Sequence, residues 1–320
     1  MWCMKCSLGD TPNMSPNVLR GHAGLASEYT KTLARAMEDA AYTTPEAALH
    51  TPFDERVRED AARLAARYEG VEVVCVAGIG GSDLGARALY DALYGHAARY
   101  AASARMPELL FVESVEPEVL VGLRERIAAS ARPEQWLLVV VSKSGTTLET
   151  LTNAQALYRA FEEKHGKAAA ETQTVVIGNA DTPLHAEAQK RGFGFLPIPN
   201  AVGGRFSVFT AAGLFPLKVA SVNVDELCAG ARDAITAAVR GTAEQPSGAH
   251  LRAGMLLEAW VSGIPIHELF LFHSQLETLG KWHRQLLAES IGKHQADDTP
   301  VGLNPTVALG STDLHSLGQL

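Results

Sequence analysis

The sequence predicts an α/β fold: a doubly wound parallel sheet with helices on both faces. Three observations carry that prediction. Four short, wholly apolar runs recur, VEVVCVAG (71–78), LLFV (109–112), WLLVVVS (136–142) and TVVIGN (174–179). Helix-like stretches alternate with them. Two of the runs pass directly into loops rich in Gly, Ser and Thr. A strand covered on both faces reads as a continuous apolar run, and strand–helix alternation is the βαβ rhythm.

The elements follow in order. Residues 1–20 read as a loose polar tail. Residues 24–49 look helical and close in the turn HTPFDE, and residues 54–68 form a charged amphipathic helix. A helix to about Tyr94 follows the first apolar run, and one from about Leu148 to Phe161 follows the third. Residues 203–220 open with a glycine turn and continue as an apolar helix; 224–239 and 248–262 are further helices. IHELFLF (266–272) reads as the first strand of a second α/β unit, with a helix over 275–289 and another opening at GSTDLHSLGQL. That second unit has about 55 residues, below the usual domain of about 100. It is expected to be incomplete, with exposed apolar surface and an open strand edge.

The chain has 320 residues, about two domains at roughly 150 each. Apolar residues make up 47% and charged residues 20%, ordinary soluble usage. The net charge of −8 argues against general nucleic-acid binding, which needs a basic face. Small anions must then be held by local devices. No apolar run reaches the roughly 18 residues that span a bilayer. The N-terminal residues lack the apolar core of a secretory signal. Four cysteines do not make a disulfide scaffold and point to a reducing, cytoplasmic setting.

Chemistry concentrates at the strand–loop–helix junctions. The first is Gly78-Ile79-Gly80-Gly81-Ser82-Asp83 and the second Ser142-Lys143-Ser144-Gly145-Thr146-Thr147. In a parallel sheet both leave the same carboxyl edge, where ligands bind. Free N–H groups at a helix N-terminus cradle an anion, hydroxyls add donors, and glycine lets the backbone come close. A phosphate suits the second loop. Taken singly, each loop also reads as an ordinary helix cap. No GxxxxGK[ST] occurs, and GIGGSD lacks the third glycine of GxGxxG, so nucleotide binding is not indicated.

Gly203-Gly204-Arg205-Phe206-Ser207 is a third glycine turn, now carrying a guanidinium that could stabilise developing negative charge. Taken alone, a surface Arg after a turn is the simpler reading. Glu289, in Ala288-Glu289-Ser290-Ile291-Gly292-Lys293, sits at a helix end. The dipole there disfavours a carboxylate, which suits a general base; the plainer reading is a solvated Glu before a Gly292 C-cap. His315 could move protons near neutrality, with Asp313 as a local cap. Cys3-Met4-Lys5-Cys6 is a lone CxxC without a second pair, so no metal is expected. Cys75 and Cys228 read as core, and His267, His273 and His283 as ordinary.

Together these residues resemble the phosphoglucose isomerase family. The matches are GIGGSDLGARAL (78–89), SKSGTTLET (142–150), GGRFSVFTAAGLFPL (203–217), LAESIGK (287–293) and GSTDLHSLGQ (310–319), in the family's order. The resemblance implies two sugar-isomerase (SIS) domains and interconversion of glucose 6-phosphate and fructose 6-phosphate, with no metal or organic cofactor. It also implies a homodimer in the cytoplasm, serving glycolysis and gluconeogenesis. It divides the chain into an N-terminal extension (1–53), a first SIS domain (54–205), and linking helices with an incomplete second SIS domain (206–320). It assigns the phosphate to Ser142, Ser144 and Thr147, helped by Lys143 and Ser82, and the sugar to Gly81 and Gly204. It assigns proton transfer between C1 and C2 to Glu289, enediolate stabilisation to Arg205, and ring opening to His315, reaching across from the partner subunit. The family's ring-opening lysine, which follows the histidine motif, has no counterpart here, so a C-terminally truncated member is expected. Two other readings share the motifs: a dual phosphoglucose/phosphomannose isomerase, and a non-catalytic sugar-phosphate-binding protein.

Overall fold

The computed structural model describes residues 16–95 and 106–318. Its centre is a five-stranded, wholly parallel sheet in the order β2-β1-β3-β4-β5. The strands are β1 (Val73–Ala77), β2 (Glu108–Val112), β3 (Trp136–Val141), β4 (Thr174–Gly178) and β5 (Gly194–Pro197). The helices between them are α3 (Leu84–Leu93), α4 (Pro117–Ala129), α5 (Leu148–His165), α6 (Lys167–Thr172) and α7 (Pro183–Arg191). The four apolar runs are therefore β1 to β4. β5 carries no comparable apolar run. It lies at the sheet edge and is placed by pairing with β4.

Alternate residues of the strands feed two cores. Val74, Val76, Leu137, Val139, Val141, Val175 and Ile177 face one side. There they meet Leu214, Phe215 and Leu217 of α8 (Ala211–Val219), a helix buried almost all round. Val73, Cys75, Leu138, Val140 and Val176 face the other side, against Leu123, Ile127, Leu157 and Phe161 of α4 and α5. Covering both faces removes every side chain of the central strands β1, β3 and β4 from water, hence the absence of period-two alternation.

The N-terminal segment departs from expectation. Helix α1 runs Pro16–Met37, so it begins inside the expected tail and stops well before residue 49. Asp39 ends it by accepting bonds from the amides of Ala41 and Thr43, and Tyr42 takes a positive φ of 54°. Such an Asx-type turn offers the backbone an alternative to helix. A 3₁₀ segment (Pro45–Phe53) leads into α2 (Glu55–Ala65), whose N-cap is Asp54. The CxxC of Cys3 and Cys6 lies outside the described residues. Cys75 and Cys228 are buried, as read.

After α8 come α9 (Val224–Val239) and α10 (Gly248–Val261). α1 packs along α10, with Thr30 bonded to the buried His250 ring. Then β6 (Ile266–Leu271), α11 (Glu277–Ile291) and β9 (Asn304–Leu309) form a second βαβ unit, with β6 and β9 parallel. Between α11 and β9 lies a small hairpin of β7 (Lys293–His294) and β8 (Pro300–Val301). Gly280 lets α11 lie close on β9; a Cβ there would come 2.5 Å from Val307. The outer side is open: Ile266 is 57% and Phe272 75% exposed. The chain's last described helix is α12 (Leu314–Leu317). Asp313 precedes it but does not cap it; its carboxylate accepts from the Leu309 amide instead. Among the described residues no helix is long and apolar enough to cross a membrane, and no group of metal-ligating side chains forms.

His267 and His283 are not independent. The Arg252 guanidinium donates to both rings, at 3.1 and 2.7 Å. Burial, then Arg252, then His267 push His283 from 6.5 down to about 4. The folded state thus holds this ring neutral where the unfolded chain would protonate it. Its contribution is intact above pH 6.5 and is lost as pH falls toward about 4. Thermal melting from pH 7 to 4 is expected to show this loss, and His283→Gln is expected to flatten that limb. An unchanged limb in the variant would remove His283 from the account.

Candidate active site

The strand order puts a topological switch between β1 and β3. The chain leaves β1 toward β2 and returns on the other side as β3, so the two connections diverge and a crevice opens at the carboxyl ends. Both motif loops emerge there. A Cβ on Gly78 would sit 3.4 Å from the Val141 carbonyl, so the first loop begins directly against the end of β3.

The second loop wraps on itself. The buried Ser142 hydroxyl accepts from the Gly145 amide at 3.1 Å and donates to Thr147 at 3.3 Å. Ser144, exposed, accepts from the amide and hydroxyl of Thr146. Gly145 has a φ of 67°, and a Cβ there would lie 2.9 Å from Leu184, so glycine answers both strain and space. Thr147 precedes α5 without capping it, because its hydroxyl is turned to Ser142. The first-turn amides of an 18-residue helix therefore keep no side-chain acceptor at the N-cap. Partial burial lowers the pKa of Lys143 from its ordinary value. The loop offers hydroxyls, amides and one cation: an anion cradle.

The first loop meets the third glycine turn. The 3₁₀ segment Gly204–Phe209 packs on Gly80–Ser82. A Cβ on Gly81 would lie 2.3 Å from the Gly204 carbonyl carbon and 2.5 Å from the Arg205 nitrogen. The Ser207 hydroxyl donates to the Gly81 carbonyl at 2.9 Å and locks the contact. Helix α11 closes the third side. Arg205 donates to the Ser290 hydroxyl at 3.0 Å and to the Glu289 carboxylate at 3.3 Å, and its guanidinium lies 4.6 Å from the Phe206 ring centroid.

Glu289 is thus in the last turn of α11, as expected, but not alone. Gln285, one turn earlier, donates to its other oxygen at 2.7 Å. Two donors stabilise the charge that the helix terminus disfavours. Gly292 ends the helix with φ −71°, not in the left-handed form of a glycine C-cap. Sequence reading missed Gln285 and Ser290 as site residues. The signal was there: Gln285 stands four residues before Glu289, hence on the same helix face. Gly80, φ 61°, has the Gln285 amide nitrogen 3.1 Å from where its Cβ would be.

The structure therefore brings together Gly81, Ser82, Gly204, Arg205 and Glu289, and sets Ser142, Lys143, Ser144 and Thr147 at the same sheet edge. No hydrogen bond or ion pair links His315 to them. His315 is exposed on α12, and its ring has no hydrogen-bond or ion-pair partner among the described residues.

Comparison with known proteins places the chain among relatives of one family. The model of the phosphoglucose isomerase family matches residues 47–308. A glucose-6-phosphate isomerase of Limosilactobacillus fermentum is 34% identical over 85% of this chain and 60% of the relative. One of Rubrobacter xylanophilus is 35% identical over 83% of this chain and 57% of the relative. The chain thus spans 57–60% of the length of these relatives. Among solved structures, a hypothetical protein of Thermus thermophilus superposes with TM-score 0.80 at 29% identity, covering 95% of this chain and 69% of its own. A glucose-6-phosphate isomerase of Chlamydia trachomatis gives TM-score 0.78 at 22% identity, covering 96% and 63%, a likeness of fold.

Gly81→Ala is expected to separate the two backbones. A cost of about 1–3 kcal/mol, typical of overpacking, should appear in denaturant unfolding. A stability equal to wild type would show that this contact does not hold the site.

Proposed function

Since the chain belongs to the phosphoglucose isomerase family, we propose that it interconverts glucose 6-phosphate and fructose 6-phosphate by proton transfer through a cis-enediol. The observation that carries this reading is the Arg205–Glu289 pair, 3.3 Å apart at the glycine loop, on the sheet edge that also bears the anion cradle.

The chemistry assigns the groups. The phosphate is held by Ser142, Ser144 and Thr147, with Lys143 and Ser82 adding donors. That anchor is remote from the reacting carbons, so its binding energy serves to orient them. Gly81 and Gly204, packed backbone against backbone, line the sugar. Glu289 takes the proton from C2 of the open aldose and returns it to C1, while the O1 carbonyl becomes a hydroxyl and the C2 hydroxyl a carbonyl. The enediolate carries negative charge on oxygen, and Arg205 faces it. Aldose and ketose have the same oxidation level, so the proton transfers balance without an external oxidant or reductant. Ring opening falls to His315. Its ring is exposed and makes no hydrogen bond or ion pair with the described residues, which leaves it free to serve a second copy: in a homodimer the partner subunit's His315 completes each site. We also divide the chain into an extension (1–53), a first SIS domain (54–205), and linking helices with part of a second SIS domain (206–320). Its setting is cytoplasmic, in glycolysis and gluconeogenesis. The names of the relatives favour isomerisation over non-catalytic binding.

The test is turnover of fructose 6-phosphate by the purified chain beside Glu289→Gln. The variant is expected to lose about 10²–10⁴ in kcat, the usual worth of a positioned base, with KM little changed. Binding without turnover by the wild-type chain would favour a sugar-phosphate-binding role. An active Glu289→Gln would remove Glu289 as the base.

A further inference from the structure

A buried acid lies beneath the glycine loop that the mechanism does not use. Asp83 is completely buried, and it stands at the start of α3, immediately after Ser82. A carboxylate at that position ordinarily accepts the free amides of the helix. Asp83 does not; its side chain makes no capping bond. Among the described residues neither carboxyl oxygen has a hydrogen-bond donor. The charge that bears on it is that of another carboxyl, Glu113 just beyond β2, which disfavours its ionisation. Two ionised carboxylates can only accept, so both oxygens of Asp83 would be orphaned and two charges would repel. One proton between them resolves both problems: a protonated Asp83 donates to an ionised Glu113.

The pair does not stand alone. Glu113 is also salt-bridged by Arg87, one turn along α3 from Asp83. Arg87 reaches Asp91 at 3.7 Å, and Asp91 accepts from the buried Thr278 hydroxyl at 2.6 Å. Thr278 lies in the first turn of α11, whose far end carries Gln285 and Glu289. A continuous polar chain thus runs from the residue after Ser82 to the helix of the candidate base. We propose that Asp83 is a positioning residue: held protonated, it donates to Glu113 and so keeps the glycine loop seated against α11.

The surroundings agree. Burial first, then Glu113, push the Asp83 carboxyl up to about 9, opposed by Arg87. The groups facing it are Glu113 beyond β2 and Arg87 on its own helix. α5 brings the neutral Asn153, whose amide holds the carbonyls of Val112, Glu113 and Ser114 and so fixes where Glu113 sits. The folded state binds a proton that the unfolded chain releases near 3.8. The Asp83 contribution is therefore full below that value and is lost as pH rises toward about 9.

Two measurements on the whole chain decide this without any ligand. In thermal melting, the Tm of Asp83→Asn minus that of wild type is expected to widen from pH 4 to 9 and then hold steady, because the amide needs no proton. In amide hydrogen exchange at pH 7, Asp83→Ala is expected to speed exchange at both 78–83 and 277–291, with Asp83→Asn restoring protection. A pH-independent Tm difference would overturn the protonated pair. Faster exchange confined to 78–83, or no rescue by Asn, would overturn the positioning role. A third arm rests on the function proposed above: fructose 6-phosphate affinity by calorimetry. Above pH 7 the phosphate charge is constant and titration of Lys143 is common to both forms, so beyond about pH 9 wild type is expected to lose about tenfold more affinity per unit than Asp83→Asn. If no form binds the sugar phosphate, the proposed function fails, while the first two measurements still decide Asp83.

Discussion

Two backbones meet at Gly81 and Gly204 with no room for a methyl group between them. The site depends on that approach. It brings a loop from the centre of the parallel sheet against a turn far later in the chain, close enough for Ser207 to bond the Gly81 carbonyl. Arg205 is then one residue from the contact, and α11, packed on both segments, presents Glu289 and Ser290 to it. Any side chain at position 81 would displace the guanidinium from the glycine loop. Glycine here serves close approach rather than an unusual φ.

Around that contact the molecule manages charge locally. The chain is acidic overall, yet the crevice is built from donors: hydroxyls and amides of the Ser142–Thr147 loop, the Lys143 ammonium and the Arg205 guanidinium. Fixed donors at a helix N-terminus hold an anion through geometry and do not need a positive surface. Two acids near the site are each held by a specific partner. Glu289 is shared by Arg205 and Gln285, and Glu113 by Arg87, so negative charge is kept beside the place where an anion would enter without opposing it freely.

Much of this was legible in the chain. Strands β1 to β4 announce themselves because burial on both faces demands unbroken apolar runs. The loops after β1 and β3 announce themselves because tight backbone approach and anion binding demand Gly, Ser and Thr. Glu289 and Arg205 were legible only within their motifs, since an Arg after a turn or a Glu at a helix end is ordinary in isolation. Strands β5 and β9 were not legible. β5 opens with glycine and ends in proline, and β9 has proline inside it, so neither matches a strand pattern; each exists because a partner strand is in place beside it. The end of α1 was hidden because Asp39 works through hydrogen bonds to amides two and four residues away, which leave no apolar period.

The sequence by itself determined the fold class, the sheet edge at which chemistry gathers, and the residue types gathered there, because local chain geometry and burial constrain these directly. Only the tertiary structure decided which of them meet. Arg205 and Glu289 are 84 residues apart and are paired only because Gly81 admits the Gly204 backbone. Gln285 joins them because a helix face, not a motif, sets its direction. Asp83 belongs to a loop that reads as an ordinary helix cap in the sequence, yet in the fold its side chain is buried and caps nothing. A carboxyl's partner, and hence its protonation, depends on what other segments bring to it through space.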